Sequence, residues 1–273
     1  MFGVMLNVMV LCVALIWFGQ YRGYAQTGPC ATVVQGQPLP DLIVDANRLK
    51  SDLVVTVENF SRTVCAVLEG CVSSRGSHEL LRFTSATPNV GQGDLVIGDP
   101  YQCPDLFKQS ECHNHLHFKE YGDYRLWTEA GYNTWITYRD LSEPANTGYN
   151  GTLLANATQN GDLVVGRKQG FCIIDIERYL PNAPSLKKYT LCGGPGSPGN
   201  QGLQVGWSDV YDQHLDCQFV EIDGLREGMY VLENHVNAEH LLPESNYLNN
   251  AAIVKFWYTP GKGKRPGKLT VQN

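Results

Sequence analysis

The residues best suited to chemistry are Cys112-His113-Asn114-His115-Leu116-His117. The chain holds seven histidines, and three of them stand here at every second position. In a strand, successive side chains alternate faces, so His113, His115 and His117 all point the same way. Imidazole suits copper and zinc. The outer two Cα atoms of a straight strand lie roughly 13 Å apart, so neighbouring members clasp one ion readily, whereas all three need a kinked or bulged strand. The row therefore predicts a metal site; the plainer alternative is a polar strand face that carries histidines. Three imidazoles without a fourth thiolate favour a site with an open position and reactive neighbours. Cys112 adjoins the row, but in an oxidising compartment its sulfur is spoken for by another cysteine rather than by metal.

The elements that must position these residues are β-strands. Leu53–Val57, Leu95–Ile97, Trp135–Tyr138, Leu163–Val165, Phe219–Ile222, Met229–Leu232 and Ala252–Tyr258 are short, β-branched or aromatic, and separated by Gly, Pro, Asn and Asp. Few stretches carry a 3.6-residue apolar period; a short helix fits around Asp45–Leu53. The glycine-rich stretch Gly193–Gly206 reads as a long functional or mobile loop. The expected fold is all-β: an antiparallel β-sandwich with long, disulfide-pinned loops and few short helices.

Residues 2–18 form an apolar run, followed by Gly23-Tyr24-Ala25, small residues of the kind a signal peptidase cleaves after. We read residues 1–25 as a secretory signal peptide, an uncleaved anchor being the alternative, and residues 26–273 as a single catalytic domain. The full chain carries a net charge of −6. Loss of Arg22 with the leader leaves 20 basic against 27 acidic residues, or −7, which disfavours nucleic acid as a partner. Of nine cysteines, Cys12 leaves with the leader. The remaining even number in an exported chain reads as a framework of up to four disulfides. Asn59, Asn150 and Asn156 head N-glycosylation triplets.

Two further segments extend the argument: Gly166-Arg167-Lys168-Gln169-Gly170-Phe171-Cys172, and Gly206-Trp207-Ser208-Asp209-Val210-Tyr211 continuing to Gln218. With the Cys-His-x-His-x-His row, they resemble the lysyl oxidase family. So do Leu39-Pro40-Asp41-Leu42, the pair Cys65 and Cys71, Leu80–Phe83, Gly91–Asp94 and the closing Leu242–Asn250. The resemblance runs over about residues 38–260. It implies copper on His113, His115 and His117, and a lysine tyrosylquinone cofactor built from Lys168 and Tyr211. Copper and O2 would oxidise the tyrosine ring, and a neutral lysine amine would add to it, giving a quinone that reacts with primary amines. Asp209, two residues before Tyr211, matches an acidic position of the family and would take the substrate α-proton, sharing a strand face with Tyr211. His214 is close enough in sequence to assist instead.

The same resemblance implies disulfides Cys65–Cys112, Cys71–Cys217 and Cys172–Cys192, leaving Cys30–Cys103 as this chain's own. Arg178 and Trp207 stand where family members often carry another cysteine pair. A calcium site is implied at Asp41, the Leu42 carbonyl, Glu244, Asn246, Asn249 and Asn250, whose oxygen donors suit that ion; Asn246 replaces a common aspartate. The reading that follows is a secreted, extracellular copper amine oxidase. Its substrates would be primary amines, peptidyl lysine of extracellular-matrix proteins above all, together with O2, and it would have no membrane partner after leader cleavage. The alternatives are a secreted copper- or zinc-binding sandwich without turnover, and a zinc hydrolase, which leaves Lys168 and Tyr211 unexplained.

Overall fold

Alternation along Ala251–Thr259 shows how the sequence builds its largest sheet. Ala252, Val254, Phe256 and Tyr258 are buried, while Ile253 and Trp257 face outward. A half-buried strand follows from that period of two, and each large side chain so buried contributes about 1.5–3 kcal/mol. The strand sits second in a five-stranded antiparallel sheet of order Lys268–Val271, Ala251–Thr259, Gly228–Val236, Gly122–Thr128 and Leu163–Val165. A computed structural model describes residues 30, 36–110, 112, 115–167, 170–262 and 265–272. The leader, His113 and Lys168 lie outside the described residues.

Four smaller antiparallel sheets surround this one. Val54–Phe60, Gly76–Arg82 and Phe219–Glu221 form the first; Ser85–Pro88, Trp207–Tyr211 and Glu177–Arg178 form the second. Leu95–Gly98 pairs with Gln201–Leu203, and Phe107–Gln109 pairs with Leu116–Phe118. One apolar core joins them, with Leu81, Phe83, Phe118, Tyr124, Val236 and Phe256 at or near full burial. The fold is all-β, mostly antiparallel, with few helices. Among the described residues no helix is long and apolar enough to cross a membrane.

Several expectations need correction. Trp135–Tyr138 is the end of the helix Glu129–Tyr138, whose first turn is capped by Thr128 Oγ1 accepting from Gly131 N at 3.0 Å. The buried pair Tyr132 and Trp135 are three apart, one helical turn, and a four-residue run cannot reveal that period. A second helix, Gly148–Asn160, ends at Gly161 with φ 78°, the left-handed stop that glycine permits. The stretch 193–206 is not all loop, since Gln201–Leu203 is a strand. At Gly202 a Cβ would lie 2.5 Å from the Leu95 carbonyl, so glycine allows that pairing. Asn150 is no glycan acceptor here: it is buried, its Oδ1 accepting from Asp140 N at 2.8 Å and its amide donating to Asp140 O at 2.7 Å.

Cys30–Cys103, Cys71–Cys217 and Cys172–Cys192 are bonded. Cys65 and Cys112 are free thiols, against the implied bond. A hydrogen bond with Cys65, then desolvation, then the charges of Cys65, Glu69 and Asp216 push the Cys112 thiol up to about 12. The turn before the histidine row is folded by Ser110 instead. Its N–H donates to the His115 carbonyl at 3.0 Å, and its hydroxyl accepts from Cys112 N at 3.3 Å.

Candidate active site

His117 lies on the strand Leu116–Phe118, and His115 stands just before it. Their Nε2 atoms approach to 2.9 Å and their ring centroids to 4.7 Å. Two imidazole nitrogens each about 2.0–2.1 Å from one ion, at a right angle, stand about 2.9 Å apart. The pair thus fits two neighbouring positions on one metal.

Phe118, the next residue, exchanges both backbone hydrogen bonds with Phe171, at 2.6 and 3.0 Å. Gly170 suits this approach, since a methyl there would meet His117 Cβ at a tight 3.3 Å. One residue further, Cys172 N donates to Tyr211 Oη at 2.7 Å, and Tyr211 Oη donates to the Cys172 carbonyl at 2.6 Å. The Phe171 ring stands edge-on to Tyr211, with centroids 4.4 Å apart. Three consecutive residues, Gly170-Phe171-Cys172, therefore touch the histidine strand on one side and Tyr211 on the other. The Cys172–Cys192 bond ties the next loop in: Gln201 Nε2 donates to Cys192 O at 2.7 Å and to Leu116 O at 2.9 Å.

Tyr211 closes the strand Trp207–Tyr211, which also carries Asp209, 1% exposed. Burial and then the Asp209 carboxylate push the Tyr211 phenol well above its ordinary pKa. Tyr121 and Tyr124 are raised, first by burial, with the Asp209 charge adding to it. These two tyrosines and Phe171 were not singled out from the sequence. The tyrosines lie in Phe118–Tyr124 directly after the histidine row, where Tyr121 hydrogen-bonds Thr87 Oγ1 at 2.7 Å and Tyr124 hydrogen-bonds Gln218. His214 is exposed in the turn after Tyr211, with its N–H donating to Asp212 at 2.9 Å. Beside His117 opens a cleft of about 520 Å³ bordered by Glu69, Lys108, Lys119, Glu120, Arg167 and Gly170.

The residues expected to hold calcium form a separate cluster. Glu244 is buried; its Oε2 accepts from Leu42 N at 2.6 Å, and its Oε1 from Asn237 at 2.6 Å and Asn250 at 2.8 Å. Asn249 donates to Asp41 Oδ1 at 2.9 Å, while Asn246 Oδ1 accepts from Leu248 N at 3.0 Å within its own turn. It is the Leu42 N–H, not its carbonyl, that faces Glu244. N–H donors ring this carboxylate, while the Oδ1 atoms of Asn249 and Asn250 are buried without a hydrogen-bond partner among the described residues.

Comparison with known proteins finds similar sequences. A family model described as lysyl oxidase matches residues 153–264, a stretch that includes positions 168, 209 and 211 and lies downstream of the histidine row. The human lysyl oxidase homolog 1 is 26% identical over 234 residues, covering 82% of this chain and 34% of the relative. The mouse lysyl oxidase homolog 2 is 28% identical over 228 residues, covering 81% and 24%. The pig protein-lysine 6-oxidase is 26% identical over 251 residues, covering 88% and 81%. The chain spans about a third or less of the length of these homologs 1 and 2. The second half of the chain is thus similar to the lysyl oxidase family model, and proteins named lysyl oxidase homologs and protein-lysine 6-oxidase align with most of its length.

Proposed function

We propose that this protein is a secreted copper amine oxidase that converts primary amines, peptidyl lysine of matrix proteins among them, to aldehydes. One amine, one O2 and one water would give one aldehyde, one ammonia and one hydrogen peroxide. The observation that carries the reading is the Gly170–Cys172 segment, which begins two residues after position 168 and joins the His115/His117 pair to the Tyr211 hydroxyl.

His113, His115 and His117 would hold copper, and Lys168 with Tyr211 would form the quinone. When bound, copper supplies the redox chemistry that matures the tyrosine, and the quinone supplies the electrophile that withdraws two electrons from the amine. The chain's own residues do the rest. Cys172 fixes the Tyr211 Oη from both sides, so the ring enters the chemistry in one orientation. Asp209 accepts, at its carboxylate, the proton lost from the substrate carbon beside nitrogen. Phe171, Tyr121 and Tyr124 exclude water around it, leaving that charge weakly screened.

The test is to express the secreted chain with copper, digest it, and examine the peptides by mass spectrometry for a Lys168–Tyr211 crosslink, with redox staining for quinone. The expected result is the crosslink together with peroxide release from amines. Lys168→Ala should abolish quinone formation with copper retained, and His115→Ala should lose both. A copper-loaded chain with neither crosslink nor peroxide would be a metal-binding sandwich without turnover, and the proposal would fail.

A further inference from the structure

Away from the histidine row, His78 on the strand Gly76–Arg82 meets two carboxylates from the segment that follows Phe219. Its Nδ1 lies 2.6 Å from Asp223 Oδ2 and 3.3 Å from Glu221 Oε1. One ligand atom from each of the three residues lies within 4.8 Å of the others. The His78 side chain is 7% exposed, Glu221 16% and Asp223 43%, so the imidazole is enclosed while one side stays open to solvent.

The other ring nitrogen decides what this cluster is for. His78 Nε2 lies 2.9 Å from the Ser74 carbonyl oxygen, which can only accept, so Nε2 carries the hydrogen. The Ser74 hydroxyl is committed elsewhere, donating to the Arg75 carbonyl at 3.2 Å. Nδ1, on the other side of the ring, then faces two carboxylate oxygens. The arrangement is favourable only with a cation shared among these atoms, a proton on Nδ1 or a metal ion. A proton on Nδ1 can serve one carboxylate; a metal ion serves all three atoms.

The supporting contacts are those of a ligand set. A metal-bound histidine commonly donates its remaining N–H to a backbone carbonyl, and its carboxylate co-ligands are hydrogen-bonded in turn. Here Ser73 N donates to Glu221 Oε2 at 2.7 Å, and the Ser73 hydroxyl donates to Oε1 at 2.5 Å. Glu79 N donates to Asp223 Oδ1 at 2.7 Å, leaving Oδ2 to face the imidazole. Among the described residues the ion pairs of Glu221 and Asp223 run to His78 alone. One nitrogen and two oxygens suit zinc, with a fourth position open to water; calcium takes oxygen donors alone.

We propose that His78, Glu221 and Asp223 form a structural zinc site, separate from the copper row. It would clamp the loop 71–76 to the turn at Asp223, on the sheet next to the Cys71–Cys217 bond. The site does not depend on the oxidase reading, and its test uses no amine. The full secreted chain is stripped with a chelator, copper-loaded, equilibrated with zinc and dialysed. Metals are then counted by mass spectrometry, and cobalt(II) substitution is followed in the visible spectrum. The expected result is one zinc per chain besides copper, a tetrahedral cobalt spectrum, and a Tm that falls when zinc is removed. Asp223→Asn and Glu221→Gln, which keep the side-chain shape and remove the charge, should lose the zinc, the spectrum and the zinc-dependent part of Tm. His115→Ala should lose copper and keep zinc. A wild-type chain that holds no zinc, or zinc lost only with His115→Ala, would overturn the proposal and leave an imidazolium–carboxylate pair.

Discussion

The Tyr211 hydroxyl is both donor and acceptor to a single residue, Cys172. Tyr211→Phe removes both bonds and leaves a backbone N–H and carbonyl to find other partners. The cost should be about 1–3 kcal/mol, read as a lower urea midpoint, and quinone staining should vanish while copper stays near the wild-type amount. Glu244 offers a second test at this scale. Burial pushes its carboxyl up to about 8, against the pull of its N–H donors. Its ordinary value is about 4.3, so between those pH values the folded chain binds more protons than the unfolded one. Stability should therefore fall as pH rises from about 4.3 through about 8. Glu244→Gln should flatten that slope in Tm against pH; an unchanged slope would remove Glu244 as its source. Physics and spacing alone singled out the three histidines, because a period-two row of one rare residue is visible in sequence. Lys168 and Tyr211 came only through the family resemblance, since nothing local marks one lysine or one tyrosine for oxidation. The cage of Tyr121, Tyr124 and Phe171 became visible only once distant strands were paired.

Where one element meets another, glycines mark the tolerances. Gly122 opens the strand Gly122–Thr128, and a Cβ there would lie 2.9 Å from the Phe171 ring. That ring is the one standing on Tyr211. Gly122→Ala should cost about 1–3 kcal/mol by overpacking. Because Phe171 has to give way, quinone yield should drop with copper content unchanged. Full quinone yield in a destabilised variant would mean that Phe171 does not position Tyr211. The strands were legible because β-branched residues repeat with a period of two and turns flank them, as at 252–258. The helix Gly148–Asn160 was not, because glycine, asparagine and threonine supply much of it and few apolar residues mark a face. The helix Glu129–Tyr138 was misread for the opposite reason: its Trp-Ile-Thr-Tyr end has strand-like composition, and only packing against Glu233 reveals the helix. There Trp127 Nε1 donates at 2.9 Å and Trp135 Nε1 at 3.4 Å to the same buried carboxylate.

At the scale of the whole molecule the cysteine count indicated an oxidising compartment and a cross-linked frame, and the bonds differ in what they hold. Cys71 and Cys217 are 146 residues apart and both buried, in a small apolar cluster with Ala66, Val72, Leu80 and Phe219 that is distinct from the main core. A cluster that small supplies limited burial energy of its own, so the covalent link is the larger local effect. Closing a loop of more than a hundred residues contributes about 5 kcal/mol on chain entropy, and measured losses on removing native bonds run about 2–5 kcal/mol. Cys71 also borders the cleft beside His117, next to Glu69, whose Oε1 accepts from Ser110 at 2.5 Å. Ser110 in turn folds the turn that leads into the histidine row. Removing the bond should therefore loosen the cleft wall before it loosens the copper ligands. The Cys71→Ala/Cys217→Ala double variant should unfold at a urea midpoint lowered by about 2–5 kcal/mol of stability. It should keep its copper and show a several-fold higher KM for amines with a smaller change in kcat. An unchanged KM with the stability loss would confine the bond to a structural role, and loss of copper would place the histidine row under its control.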